Sequence, residues 1–156
     1  MAADVDLDVL RFSRGEELTM LARIGIAALG GAVIGFERRQ AGKNAGMRTL
    51  MLVSMGAALF TLVSIFGFTG HDPSRVASGV VAGVGFLGAG AILRDGTSVR
   101  GLTTAASVWV AAAVGAAAGT GLYIVAFGTA LLAALVMWLW PHDVPEFAGG
   151  ADEGDN

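Results

Sequence analysis

TLMLVSMGAALFTLVSIFGF, residues 49–68, decides how this chain is read. Twenty consecutive positions carry no ionised side chain, and about 20 mostly apolar residues are what an α-helix needs to cross ~30 Å of hydrocarbon. Four further windows are similar: 20–36, 76–93, 102–118 and 122–140. The last four of the five, in chain order, contain no Asp, Glu, Lys or Arg. Helices of a water-soluble bundle keep a polar face, so that alternative fails on these four windows. The whole composition agrees. Of 156 residues, 54% are hydrophobic and 15% charged, against roughly 25% charged in a soluble domain, and the mean hydropathy is +0.68. Disorder has the opposite signature. The expected fold is all-α: a polytopic transmembrane helical bundle of about five spans.

The breaks between windows carry turn chemistry. Asp72-Pro73 pairs an N-cap residue with proline at the first helical position, and Arg94-Asp95-Gly96 with Gly101 brackets a short polar turn. Gly119-Thr120-Gly121 is the weakest break, leaving open a four-span reading that merges its neighbours. Lys and Arg collect on the cytoplasmic side of membrane proteins. Arg38, Arg39, Lys43 and Arg48 follow the first window, and Arg94 and Arg100 follow the third; Arg11, Arg14 and Arg75 fall on the other side. This places the N-terminus outside and the C-terminus in the cytoplasm, with Arg23 snorkelling to the outer interface. Tyr123, Trp138 and Trp140 sit at span ends, where rings favour the headgroup zone, while Trp109, mid-span, is expected to pack inside the bundle. Three segments result: an acidic arm over residues 1–17, the transmembrane domain over 18–140, and an acidic, disordered tail over 141–156. The arm is no secretory signal, since it is acidic where such a signal is basic. Its Asp4, Asp6 and Asp8 imitate a calcium loop, but Val9 stands where glycine is needed and Gly15 where the closing glutamate is needed.

Glycine fills 24 positions, and in a bilayer small residues four apart let two helix backbones approach. Gly31 with Gly35, Gly79 with Gly83, and Gly115 with Gly119 are such pairs. Gly79, Gly83 and Gly90 fall within about 40° of each other on a helix, beside Phe86 and with Gly88 in the same run. The third span should therefore present a smooth groove and occupy a central place, receiving another helix of the chain or of a second copy. GVGFLGAG, residues 83–90, also matches the dinucleotide pattern G-x-G-x-x-G, but it lies inside an apolar span rather than at a strand-to-helix turn. There is no cysteine, so disulfides and thiol chemistry are excluded; a net charge of −3 has the wrong sign for nucleic acid.

Polar chemistry gathers in two places. The first and third loops bring Glu37, Arg38, Arg39, Asn44, Arg48, Arg94 and Asp95 to one membrane face. Glu37 ends a span at the negative pole of its helix, so a cationic partner is expected. This cluster reads either as a sensor of an ion or partner protein, with Glu37 and Asp95 as candidate metal ligands, or as a positive-inside anchor with internal ion pairs. Thr103, Thr104 and Ser107 begin the fourth span, where they bond across helices, return to their own carbonyls, or line an ion path. A magnesium conduit normally uses carboxylates, and none lies near the middle of any window. No P-loop and no nucleophile beside a base is present, so no enzymatic activity and no cofactor is expected, magnesium being the one candidate. His71 and His142 sit in loops on opposite sides.

GFERR at 35–39, KNAGMRT at 43–49, GVGFLGAGAI at 83–92 and VRGLTTAASVW at 99–109 together resemble the membrane domain of the MgtC/SapB family. The similarity covers residues 21–140 and is specific because four motifs recur in order. It implies a multi-pass protein of the prokaryotic plasma (inner) membrane, linked to growth in low magnesium and, in pathogens, to survival in host cells. Some relatives are named as part of a magnesium transport ATPase, and one is thought to restrain the F-type ATP synthase. Members similar to the virulence protein carry an extra soluble C-terminal domain, where this chain has its acidic tail. Two function classes follow: a regulatory or interaction protein of the membrane, with lipid, a second copy as a homodimer and a complex such as an ATP synthase as partners, or a passive channel or transporter for magnesium or another small ion.

Overall fold

The computed structural model describes residues 12–67, 72, 74–96 and 98–140, with the backbone alone at Asp95 and Ser98. The acidic triplet of the arm, Pro73, both histidines and the acidic tail lie outside the described residues. Five helices follow in order: α1 Arg14–Gln40, α2 Met47–Phe66, α3 Ser74–Gly90, α4 Leu102–Thr120 and α5 Tyr123–Leu139. The weak break separates α4 from α5 after all. Gly121, at φ +93°, turns the chain and donates its N–H to the carbonyls of Ala117 and Ala118, a left-handed ending that suits glycine. Helices α1, α2 and α4 are long and apolar enough to cross a membrane. At 17 residues each, α3 and α5 rise about 25 Å and stand at the lower limit for a span.

The break between α3 and α4 differs from expectation. It is a small antiparallel hairpin, β1 Leu93–Asp95 against β2 Ser98–Arg100, rather than a simple turn. Gly96 (φ +56°) lets the strands reverse, and Gly101 (φ +90°) sits against the Ala91 carbonyl where no Cβ would fit.

Small residues make the interior. Ala27, Ala58, Ala111, Ala118 and Ala130 are fully buried with Ile34, Leu50 and Ser54, while large apolar side chains point outward: Ile124 is 91% exposed and Phe86 81%. A soluble protein does not expose apolar surface on that scale. In lipid the arrangement is sound, because tails solvate the outer leucines and phenylalanines while bare backbones supply the close contacts. Adding a Cβ at Gly31 would place it 2.5 Å from the Leu50 carbonyl oxygen, and one at Gly119 would lie 2.9 Å from that of Ala58. Gly35 likewise meets Met47, and Gly115 meets Ser54. The first and third glycine pairs thus press α1 and α4 onto α2.

The centre is α4, not α3. It packs against α1, α2, α3 and α5 and buries eight residues, whereas α3 buries only Val84 and Gly88. Spacing identifies a smooth face but not whether a neighbour covers it. Trp109 corrects a second expectation: it is 51% exposed on the outside of α4, not packed within. Contacts fix the sense of the helices. Gly115 and Gly119 of α4 meet Ser54 and Ala58 of α2 in the same order, so these two run parallel; Gly31 and Gly35 of α1 meet Leu50 and Met47 in reverse order. Hence the α1–α2 loop and the hairpin share one end of the bundle, called here the loop end.

Candidate functional site

The site grows from the way α1 stops. After Gln40 the chain turns at Gly42 (φ +65°), and the N–H groups of Ala41, Gly42 and Lys43 return to the carbonyls of Glu37, Arg39 and Arg38. Those carbonyls carry the negative pole of the helix, which favours Arg38 and Arg39 and disfavours Glu37. The cationic partner that Glu37 requires is its own neighbour: Arg38 Nε lies 3.7 Å from Glu37 Oε2, an ion pair without a hydrogen bond. The side chains are 4% and 17% exposed respectively.

Arg38 is therefore a buried cation with sparse bonding. Its Nη1 donates to Met137 Sδ of α5 at 3.2 Å, and a thioether is a weak acceptor. Neither Arg38 Nε nor Glu37 Oε2 has a hydrogen-bond partner. Buried charges are ordinarily paired, and at this junction of α1 and α5 Glu37 and Arg38 pair with each other.

The rest of the expected cluster is spread over the loop end. Arg39, Asn44 and Arg48 are exposed, and Arg94, also exposed, donates from Nε to the Gly96 carbonyl at 3.2 Å within its own hairpin. Asp95 pairs with Ser98 through the backbone register of the hairpin. The Glu37 carboxylate faces a guanidinium, and no group of three or more His, Cys, Asp or Glu residues gathers among the described residues. At the start of α4, Thr103 and Thr104 are half-buried, and the buried Ser107 hydroxyl donates to the Thr104 carbonyl of its own helix at 2.8 Å.

Of the third-span glycines, Gly88 packs on Ala105 of α4, whereas Gly79, Gly83 and Gly90 have nothing within 4 Å of an added Cβ, and Phe86 projects outward.

Three polar contacts went unseen in the sequence. Ser54, fully buried, donates to the Ala27 carbonyl across α1 and α2 at 2.7 Å. Arg23 turns into the protein and donates from Nη1 to the Gly119 carbonyl at 2.9 Å, capping the negative end of α4. Met137 meets Arg38. A serine inside an apolar run was the available signal for Ser54; the other two depend on which helix lies alongside.

A family model described as MgtC family matches residues 24–142. "Putative magnesium transporter YhiD" of Escherichia coli (strain K12) is 45% identical over 125 residues, covering 75% of this chain and 58% of that protein. "Protein SrpB" of Synechococcus elongatus is 46% identical over 131 residues, covering 75% and 72%. "Protein MgtC" of Brucella abortus (strain 2308) is 50% identical over 96 residues, covering 62% and 40%. The chain thus spans less than two thirds of the length of YhiD and of MgtC. No solved structure matches it significantly.

Proposed function

This chain belongs to the MgtC family, and from that premise we propose that it serves magnesium homeostasis as a multi-pass protein of a prokaryotic inner membrane, acting through regulatory contact with other membrane complexes. The magnesium link is supported by the name of YhiD. The regulatory reading rests above all on the closed interior. Between the two ends of the bundle, Gly31, Gly115 and Gly119 hold α1, α2 and α4 backbone against backbone, and the interior is filled by alanine, isoleucine, leucine and valine with the buried hydroxyls of Ser54, Thr61, Ser64 and Ser107, of which those of Ser54, Thr61 and Ser107 donate to backbone carbonyls. Among the described residues no carboxylate is buried there, and magnesium is usually held through one or two carboxylates. Cationic groups collect at the loop end, where, among the described residues, Arg38, Arg39, Lys43, Arg48, Arg94 and Arg100 outnumber Arg14, Arg23 and Arg75 of the opposite end. By the positive-inside rule that surface faces the cytoplasm, with the N-terminus outside, and the under-bonded Glu37–Arg38 pair is the point of contact. We assign the chain no reaction and no resident cofactor, and homodimerisation is part of the same reading.

Purified full chain in liposomes tests the proposal. Magnesium movement no faster than in empty vesicles is expected, together with co-purification of a second membrane complex from native membrane that Glu37→Gln weakens. Protein-dependent magnesium flux would overturn the regulatory reading in favour of a passive channel or transporter.

A further inference from the structure

We propose that the groove between α2 and α3 binds one acyl chain of an anionic phospholipid, whose phosphate rests on Arg48 and Thr49 at the loop end. The groove encloses about 680 Å³ between Leu52, Gly56 and Phe60 of α2 and Val76, Gly83 and Leu87 of α3. No lining residue has a polar side chain. Gly31 and Gly35 of α1 and Gly115 and Gly119 of α4 close to backbone contact with α2, whereas Gly56, Gly79 and Gly83 have nothing within 4 Å of an added Cβ.

Charge and wall chemistry select the occupant. A file of methylenes is wholly apolar, as the walls are. At 100° per residue Thr49 lies beneath the middle of the α2 face that carries Leu52, Gly56 and Phe60, and Arg48 lies at its edge, one turn below Leu52. Both are exposed, and among the described residues no acid or carbonyl engages Arg48. This end of α2 has no acidic residue in its first turn and no side-chain cap from Gly46, so its free N–H groups add to the attraction for phosphate. At the opposite end of the groove the Asp72 carboxylate already takes the N–H and hydroxyl of Ser74 at the start of α3, which makes that end less inviting to an anion. Basic pockets between helices at the cytoplasmic side are the places where acidic headgroups settle.

The full chain, purified in detergent and stripped of lipid, is titrated with phosphatidylglycerol and with phosphatidylcholine of the same chains, and bound lipid is counted by native mass spectrometry. One phosphatidylglycerol per chain is expected, bound about fivefold more tightly than phosphatidylcholine, the factor one interfacial arginine supplies. Arg48→Gln should bring the two lipids within about twofold of each other, and Gly83→Leu, which fills the groove, should remove the stoichiometric lipid of both kinds. Gly79→Leu, on the same wall, replaces Gly83→Leu if that variant loses helicity. Equal binding of both lipids by the unsubstituted chain, an undiminished preference in Arg48→Gln, or full binding by the groove-filled variant each overturns the proposal. So does a dimer that the groove-filled variant abolishes while lipid binding persists, since the occupant is then a second copy.

Discussion

Replacing Gly115 by alanine should loosen the bundle at its centre, and the size of the effect follows from the contact it breaks. The new methyl would point at the backbone of Ser54, with that residue's carbonyl carbon 2.7 Å away and its Cα 2.8 Å away. Carbon atoms in comfortable contact sit ~3.5–4.0 Å apart, so α4 must retreat from α2 by about 1 Å. No flexible side chain is present to yield. The retreat also pulls on Ser54, whose hydroxyl ties α2 to the Ala27 carbonyl of α1. Overpacking of this kind costs about 1–3 kcal/mol, offset by the ~1 kcal/mol by which alanine is the better helix former. Gly79→Ala is the matched control, since nothing lies within 4 Å of its added Cβ and only the propensity gain of ~1 kcal/mol remains. The two variants should differ by about 2 kcal/mol in stability, or ~4–8 °C in melting temperature at this chain length. Far-UV circular dichroism of both proteins in one detergent measures this. Equal melting of Gly115→Ala and Gly79→Ala would refute the assignment of α4 to the centre and the packing role of its glycines.

Two other predictions follow from charged groups. Arg38→Met leaves the Glu37 carboxylate at a buried junction without its cation, which should cost about 1–3 kcal/mol; in the double variant Glu37→Gln/Arg38→Met most of that loss returns. A melting-derived double-mutant cycle with no coupling would show that the 3.7 Å pair is incidental. The backbone N–H of Ser74, and then its hydroxyl, hold the Asp72 carboxyl below its ordinary pKa of 3.8. A carboxylate with a lowered folded pKa contributes stability that is present above its unfolded pKa and lost as pH falls through the folded value. The Ser74 amide resonance should accordingly titrate with a midpoint below 3.8, and the step should vanish in Asp72→Ala.

Much of this molecule is legible without coordinates because lipid imposes a crude rule. A window such as 49–68 has no ionised group to place in water, so it becomes helix, and α2 covers nearly the same residues. The three glycine pairs show where that rule stops. All three have the same spacing, yet Gly31–Gly35 and Gly115–Gly119 are pressed against neighbouring backbones while Gly79–Gly83 lines an open groove. Spacing describes one helix; occupancy of the face belongs to two. The candidate site divides in the same way. Arg38 and Arg39 are adjacent and chemically identical, but a 100° step turns the first into the bundle and leaves the second exposed. Glu37's need for a cation was readable from the helix pole, whereas Met137, 99 positions away, was not.

The amino-acid order alone determined the solvent, the five apolar helices, their approximate limits and the family motifs, since each depends on composition or on neighbours within a few residues. Tertiary structure decided that α4 rather than α3 is the hub, that a hairpin joins them, and that one arginine of a run is buried with its carboxylate. Those outcomes depend on which surfaces of separate helices meet, and backbone contact at a glycine is a property of the pair, invisible to either helix by itself.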